Sequence, residues 1–176
     1  MTEPGIAELV ASHLRDVPDF PIPGVLFKDI TPLLADAAAF AAVTSAMAAA
    51  AGDGVDLIAG IEARGFLLAG AIARELDCGM VPVRKAGKLP PPTVKRSYAL
   101  EYGTAEVEVP VNILDGKRVL LVDDVLATGG TLKAAADLIA QAGGSVSALA
   151  VLLELTFLPG RSVVADVAPL TALLQL

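Results

Sequence analysis

Two adjacent carboxylates, Asp123 and Asp124, close the apolar run Val119-Leu120-Leu121-Val122, and Val125-Leu126-Ala127-Thr128-Gly129-Gly130-Thr131 follows at once. A loop of small residues with two glycines and two hydroxyls leaves backbone N–H groups open to an anion. A helix starting behind it adds the positive end of a dipole. Such a loop holds a phosphate dianion. The two acids beside it would repel that phosphate, so they must serve something else. Ribose hydroxyls, which donate to carboxylates, meet the requirement, and the composite is a site for a sugar 5-phosphate. Competing motifs are absent from the sequence: no G-x-x-x-x-G-K-[ST], no G-x-G-x-x-G, no H-E-x-x-H and no G-x-S-x-G.

The elements that must position this loop read as alternating strands and helices. Ile6, Leu9, Val10 and Leu14 have helical spacing, and the helix must stop before Pro18, Pro21 and Pro23, which force extended or turn backbone. Leu33 to Ala51 reads as one amphipathic, Ala-rich surface helix in which Phe40, Val43 and Met47 recur. Asp56–Ile61, Met80–Val83, Arg118–Asp123 and Val146–Leu153 read as strands, and the third, an unbroken apolar run, is expected to be buried on both faces. Helices are expected over Gly65–Leu76 and Thr131–Ala142, the second ended by Gly143-Gly144. This order predicts an α/β fold with a mostly parallel sheet flanked by helices, and in such sheets ligands bind beyond the carboxyl ends of the strands. Arg84 to Val111 breaks the rhythm. It reads as a long hairpin or flap standing off the sheet, with Glu106 and Glu108 on a solvated face.

Composition narrows the class. The chain of 176 residues is 55% hydrophobic and 19% charged, which excludes a disordered polymer, and its length predicts one domain. Its net charge of −7 argues against a sequence-independent nucleic-acid binder, although a local basic cluster can still grip one phosphorylated ligand. The single cysteine, Cys78, fits a reducing compartment, and the lone His13 has no partner with which to build a metal site. The acidic start lacks the basic region of a signal peptide, and no stretch reads as a membrane span. A cytoplasmic protein with no membrane partner is expected.

The hydrophobic run, acid pair and Ala-Thr-Gly-Gly-Thr loop resemble the signature of the phosphoribosyltransferases. The resemblance covers nearly the whole chain. Asp19 to Ile30, including Pro21-Ile22-Pro23-Gly24, is similar to the N-terminal hood of that family's adenine-using members, and Gly60-Ile61-Glu62-Ala63-Arg64-Gly65-Phe66 to its pyrophosphate loop. Arg84-Lys85-Ala86-Gly87-Lys88-Leu89-Pro90 and Ser97 to Gly103 look like its flexible catalytic loop, and Glu154-Leu155-Thr156 like the segment under the base. The type I phosphoribosyltransferase fold is thereby implied, as a single domain over 1–176 with a hood over about 1–35 and a flexible loop over about 84–111.

The implied reaction is transfer of a 5-phosphoribosyl group from 5-phosphoribosyl 1-diphosphate to N9 of adenine. It gives AMP and diphosphate, with Mg²⁺ bound mainly through the sugar diphosphate, in a homodimeric purine salvage enzyme. By resemblance, Ala127, Thr128, Gly129, Gly130 and Thr131 anchor the 5-phosphate, while Asp123 and Asp124 hold the ribose hydroxyls. Arg64, Arg84, Lys85, Lys88 and Tyr102 receive the diphosphate. Leu26, Lys28 and Leu155 line the adenine site, where the family often carries Arg in place of Lys28. The peptide Glu62–Ala63 is expected to be cis. Arg64 and Glu101 are the catalytic candidates; a carboxylic acid at Glu101 could donate to N7 of the purine as N9 bonds to C1. Two other readings stay open at this stage: transfer to hypoxanthine, guanine or xanthine, and a phosphoribosyl-sensing regulator that binds nucleic acid.

Overall fold

The computed structural model describes residues 5–99 and 104–176. A short helix α1 (Ile6–Ser12) leads into an antiparallel pair, β1 (Arg15–Pro18) and β2 (Leu26–Asp29), in which Asp16 faces Lys28. Asp29 ties this pair to the next helix. Its Oδ2 accepts from Arg15 Nε at 3.0 Å, and its Oδ1 from the Thr31 N–H and hydroxyl at 2.9 and 2.6 Å. The segment read as one Ala-rich helix is two, α2 (Thr31–Ala35) and α3 (Ala37–Ala48). Asp36 divides them because it leaves helical geometry and caps α3, its Oδ1 accepting the Ala39 N–H at 2.9 Å. Composition shows alanine content, and a cap is a matter of one residue's backbone.

The remaining elements are β3 (Leu57–Ile61), α4 (Arg64–Glu75), β4 (Gly79–Lys85), β5 (Thr93–Ala99), β6 (Thr104–Pro110), β7 (Arg118–Leu126), α5 (Gly130–Gln141), β8 (Ser145–Glu154), α6 (Gly160–Val163) and β9 (Leu170–Gln175). They build a seven-stranded sheet in the order β5-β6-β4-β3-β7-β8-β9. Strands β3, β4, β7, β8 and β9 run parallel, and β5 and β6 are antiparallel to their neighbours. The expected α/β architecture is therefore present. Alternate residues of β7 feed two cores: Val119 and Leu121 pack with α5, whereas Leu120 and Val122 pack on the face carrying α3 and α4.

Three expectations need correction. Strand β7 does not end at Asp123: it pairs with β8 as far as Leu126↔Glu154, so both acids lie inside the strand. A pair of carboxylates normally ends an apolar run, but here the pairing with β8 carries the backbone past them. The flap does not stand off the sheet, because β6 bonds to β4 through Arg84↔Glu108 and Lys85↔Val107 and joins its edge. Nor is Glu108 solvated; it is 1% exposed. Strand β9 was not anticipated, since Leu170–Gln175 is short and follows no helical pattern.

Candidate active site

Strand order reverses between β3 and β7: the chain leaves β3 toward β4 on one side and leaves β7 toward β8 on the other. The crevice beyond their carboxyl ends is where an open α/β sheet places a ligand. Gly60 pairs with Val122, so the loop after β3 lies beside the acids of β7. Gly65, in the first turn of α4, makes this approach feasible. A Cβ there would sit 2.9 Å from the Val122 carbonyl oxygen and 3.1 Å from Asp123 Oδ1. The peptide Glu62–Ala63 is cis, as the resemblance implied.

Arg64, the first residue of α4, crosses this junction. Its Nη2 lies 2.6 Å from Asp124 Oδ2, its Nη1 donates to the Lys28 carbonyl at 3.1 Å, and its guanidinium sits 4.7 Å from the centre of the Phe27 ring. The contact with Asp124 is one of charge. No N–H lines up on Asp124 Oδ2, and among the described residues it is the buried side-chain oxygen without a hydrogen bond. Asp123 Oδ1 accepts the Asp124 N–H at 2.9 Å. Burial, and then the charge of Asp124, push the Asp123 carboxyl well above the usual aspartate range. Burial raises Asp124 as well, with Arg64 opposing it.

The loop after β7 encloses a cavity of about 140 Å³ lined by Asp123, Val125, Leu126, Ala127, Thr128, Gly129, Thr131 and Leu132. A larger recess of about 450 Å³, bounded by Arg161 and Val164–Leu170, carries none of the sequence-predicted site residues. Gly129 has a φ of +84°, which turns the chain into α5. Its support was missed from the sequence: a Cβ on Gly129 would lie 2.8 Å from the Gly160 carbonyl, and a Cβ on Gly160 would press into the Ala127 carbonyl. The Pro159-Gly160 pair at the start of α6 was the available signal, and it reads as an ordinary turn. Gly160→Ala should therefore displace the loop through Ala127. Overpacking of this kind costs about 1–3 kcal/mol, and we expect affinity for AMP to fall about tenfold. Titration calorimetry checks this, and wild-type affinity would show that the cradle does not depend on α6.

The basic segment at the end of β4 is tied to the loop after β3. Glu62 Oε2 accepts the Lys85 N–H at 2.9 Å and Arg84 Nε at 3.3 Å, and Arg84 Nη1 donates to the Lys88 carbonyl at 3.0 Å. Burial disfavours the charge on Glu62, but these donors outweigh it and hold its carboxyl below the usual range. The sequence reading missed Glu62, Phe27 and Tyr98. Tyr98 on β5 reaches the cradle, its phenol oxygen 3.1 Å from Thr131 Oγ1. Glu101 and Tyr102 lie outside the described residues. Leu26 is 53% exposed, whereas the Lys28 ammonium is turned to Asp16 Oδ1 at 2.7 Å. Leu155 is half-buried, and its N–H bonds to the Leu126 carbonyl at 2.9 Å, next to the cradle. Among the described residues no group of three or more His, Cys, Asp or Glu could hold a metal ion, and no helix is long and apolar enough to cross a membrane.

A mostly parallel sheet whose central strand carries an acid pair, with Arg64 against it, into a glycine-bearing loop at a helix start is the arrangement expected of the phosphoribosyl-transfer class. The family model described as the phosphoribosyl transferase domain matches residues 28–156. An adenine phosphoribosyltransferase of Streptomyces coelicolor is 57% identical over 180 residues, covering 99% of each chain. The crystal structure of the Rhodothermus marinus adenine phosphoribosyltransferase superposes with a TM-score of 0.92 at 44% identity, covering 97% of this chain and 98% of that one. The Saccharomyces cerevisiae enzyme, complexed with D-2,5-dideoxy-2,5-imino-altritol 1,6-bisphosphate and adenine, has a TM-score of 0.88 at 37% identity, covering 96% and 98%. The chain belongs to the phosphoribosyltransferase family, and within it to the adenine phosphoribosyltransferases.

Proposed function

We propose that this chain makes AMP and diphosphate from adenine and 5-phosphoribosyl 1-diphosphate as a purine salvage enzyme. The observation that carries the reading is the junction of Asp123, Asp124 and Arg64 at the mouth of the Ala127–Thr131 loop. Breaking the C1–O bond puts positive charge on the ribose ring and negative charge on the departing diphosphate. The protein therefore needs positioned charges more than a nucleophile. Ala127, Thr128, Gly129, Gly130 and Thr131 hold the 5-phosphate. Asp123 and Asp124 accept from the ribose hydroxyls and favour the developing positive charge. Asp124 Oδ2, buried without an aligned donor, suits that task. Arg64 passes from Asp124 to the diphosphate, with Arg84, Lys85, Lys88 and Tyr102 beside it.

Leu26, Lys28 and Leu155 receive adenine. Glu101 gives a proton to N7 as the N9 proton leaves to solvent, then takes it back as N9 bonds to C1 and diphosphate departs. Mg²⁺, when bound, acts as a Lewis acid on the diphosphate oxygens. It would enter this site as a passenger of the sugar diphosphate, whose oxygens would hold it, and Asp123 and Asp124 beside the loop would accept from its bound waters. We place residues 1–176 in one domain, with the hood over about 1–35 and the catalytic loop over about 84–111, in a cytoplasmic homodimer.

The test is incubation with the sugar diphosphate and Mg²⁺ against adenine, hypoxanthine, guanine and xanthine, following diphosphate release. Adenine should dominate. Equal turnover of hypoxanthine would overturn the substrate while leaving the reaction class in place.

A further inference from the structure

Glu108 buries a carboxylate where the neighbouring strand residues bury valines, and its partners are unusual. Its Oε1 accepts the Lys88 N–H at 2.7 Å and the Leu89 N–H at 2.8 Å. Its Oε2 accepts the Thr93 hydroxyl at 3.1 Å and lies 3.8 Å from Lys95 Nζ. Burying a charge is costly unless it is paired and hydrogen-bonded, and here the donors outweigh burial and keep the carboxyl below its usual range. The four partners are Lys88 at the end of the basic segment, Leu89 in the turn after it, and Thr93 and Lys95 on β5. From the other side Arg84 grips the same turn, donating to the Lys88 carbonyl at 3.0 Å, while Glu62 holds Arg84 and the Lys85 N–H. Three cations within five residues repel one another. Two carboxylates, one at each end, keep them gathered.

We propose that Glu108 is a positioning residue for the diphosphate: by fixing the Lys88-Leu89 backbone, it keeps Arg84, Lys85 and Lys88 converged on one anion. This rests on the proposed function, in which the basic segment receives diphosphate. Both oxygens of Glu108 are taken up by the turn and β5, so its effect passes through the turn. It is specific to the leaving group, because among the described residues neither the 5-phosphate loop nor the N-terminal segment shares a hydrogen bond with Glu108.

The experiment uses the full chain carrying E108A, or E108Q as a variant of equal shape that keeps one acceptor for the two amides. Binding of inorganic diphosphate and of AMP is followed by calorimetry, alongside the KM for each substrate. In E108A the diphosphate dissociation constant and the KM for the sugar diphosphate should each rise about tenfold, and in E108Q about threefold. AMP affinity and the KM for adenine should stay within about twofold. Wild-type diphosphate affinity in both variants overturns the proposal. So does AMP affinity falling in step with diphosphate affinity, which marks general loosening of the fold. Failure of the wild-type chain to use adenine would strike the substrate reading alone, since diphosphate binding is measured without turnover.

Discussion

Glu101→Leu is expected to lower kcat by about 10²–10⁴-fold, the range over which a positioned general acid acts. A proton given to N7 while the N9 proton leaves to solvent frees the N9 lone pair to attack C1. As that bond forms and positive charge builds on the ring, the N7 proton returns to the Glu101 carboxylate. Leucine cannot donate. The sugar-diphosphate affinity should stay within about threefold, because the Ala127–Thr131 loop is untouched. Glu101→Gln should retain part of the rate, since an amide N–H still hydrogen-bonds N7 without giving up its proton. Steady-state kinetics with adenine decide the matter. Turnover at the wild-type rate in Glu101→Leu would reduce the loop to a cover.

The two acids should part company in stability: at Asp123 stability and function change in opposite directions, at Asp124 they fall together. A carboxyl whose pKa is raised by folding favours the fold while protonated, below the ordinary aspartate range. That contribution is lost as pH rises from the ordinary aspartate range through the raised value, so above that ordinary range the burial of Asp123 works against the fold. Asp123→Asn removes the charge and the repulsion from Asp124. It should raise Tm by about 2–4 °C, the shift that 1 kcal/mol produces in a chain of this size. The same change removes a charged acceptor for ribose, each such bond being worth about 1.5–3 kcal/mol, so sugar-diphosphate affinity should drop tenfold or more. Asp124→Asn should weaken binding likewise but lower Tm, because it strands the Arg64 guanidinium that lies 2.6 Å away. Calorimetric melting of the two variants at pH 7 is the check; a lower Tm in Asp123→Asn would refute the burial argument.

The Ala127–Thr131 loop and its acid pair were legible because their chemistry is local: residue types and spacing alone pose the conflict between phosphate and carboxylate. The central strands were legible for the same reason, their apolar runs being too long to face water. What escaped depends on partners distant in sequence. Nothing near Glu108 announces that Lys88, Leu89 and Thr93 will close over it, and alternation with Val107 and Val109 reads as a half-solvated strand. Nothing near Gly160 shows the Ala127 carbonyl waiting against it. The cis peptide after Glu62 came from resemblance, since the residues Glu62 and Ala63 do not call for it. Asp36 was visible as an interruption of the Ala-rich segment, but its capping role needed the turn that only the structure shows.

Arg64 answers to three neighbours at once: the Lys28 carbonyl and the Phe27 ring on β2, and Asp124 on β7. A side chain shared in this way makes the two halves of the crevice thermodynamically inseparable. Whatever draws the guanidinium from one neighbour changes its hold on the others, and by reciprocity the affinity at each half depends on what occupies the other. Double-mutant cycles between Phe27 and Asp124, residues from different elements, should thus return a coupling energy outside the additive range of about 0.3–0.5 kcal/mol. In this crevice one arginine on α4 makes β2 and the acid strand answer to each other.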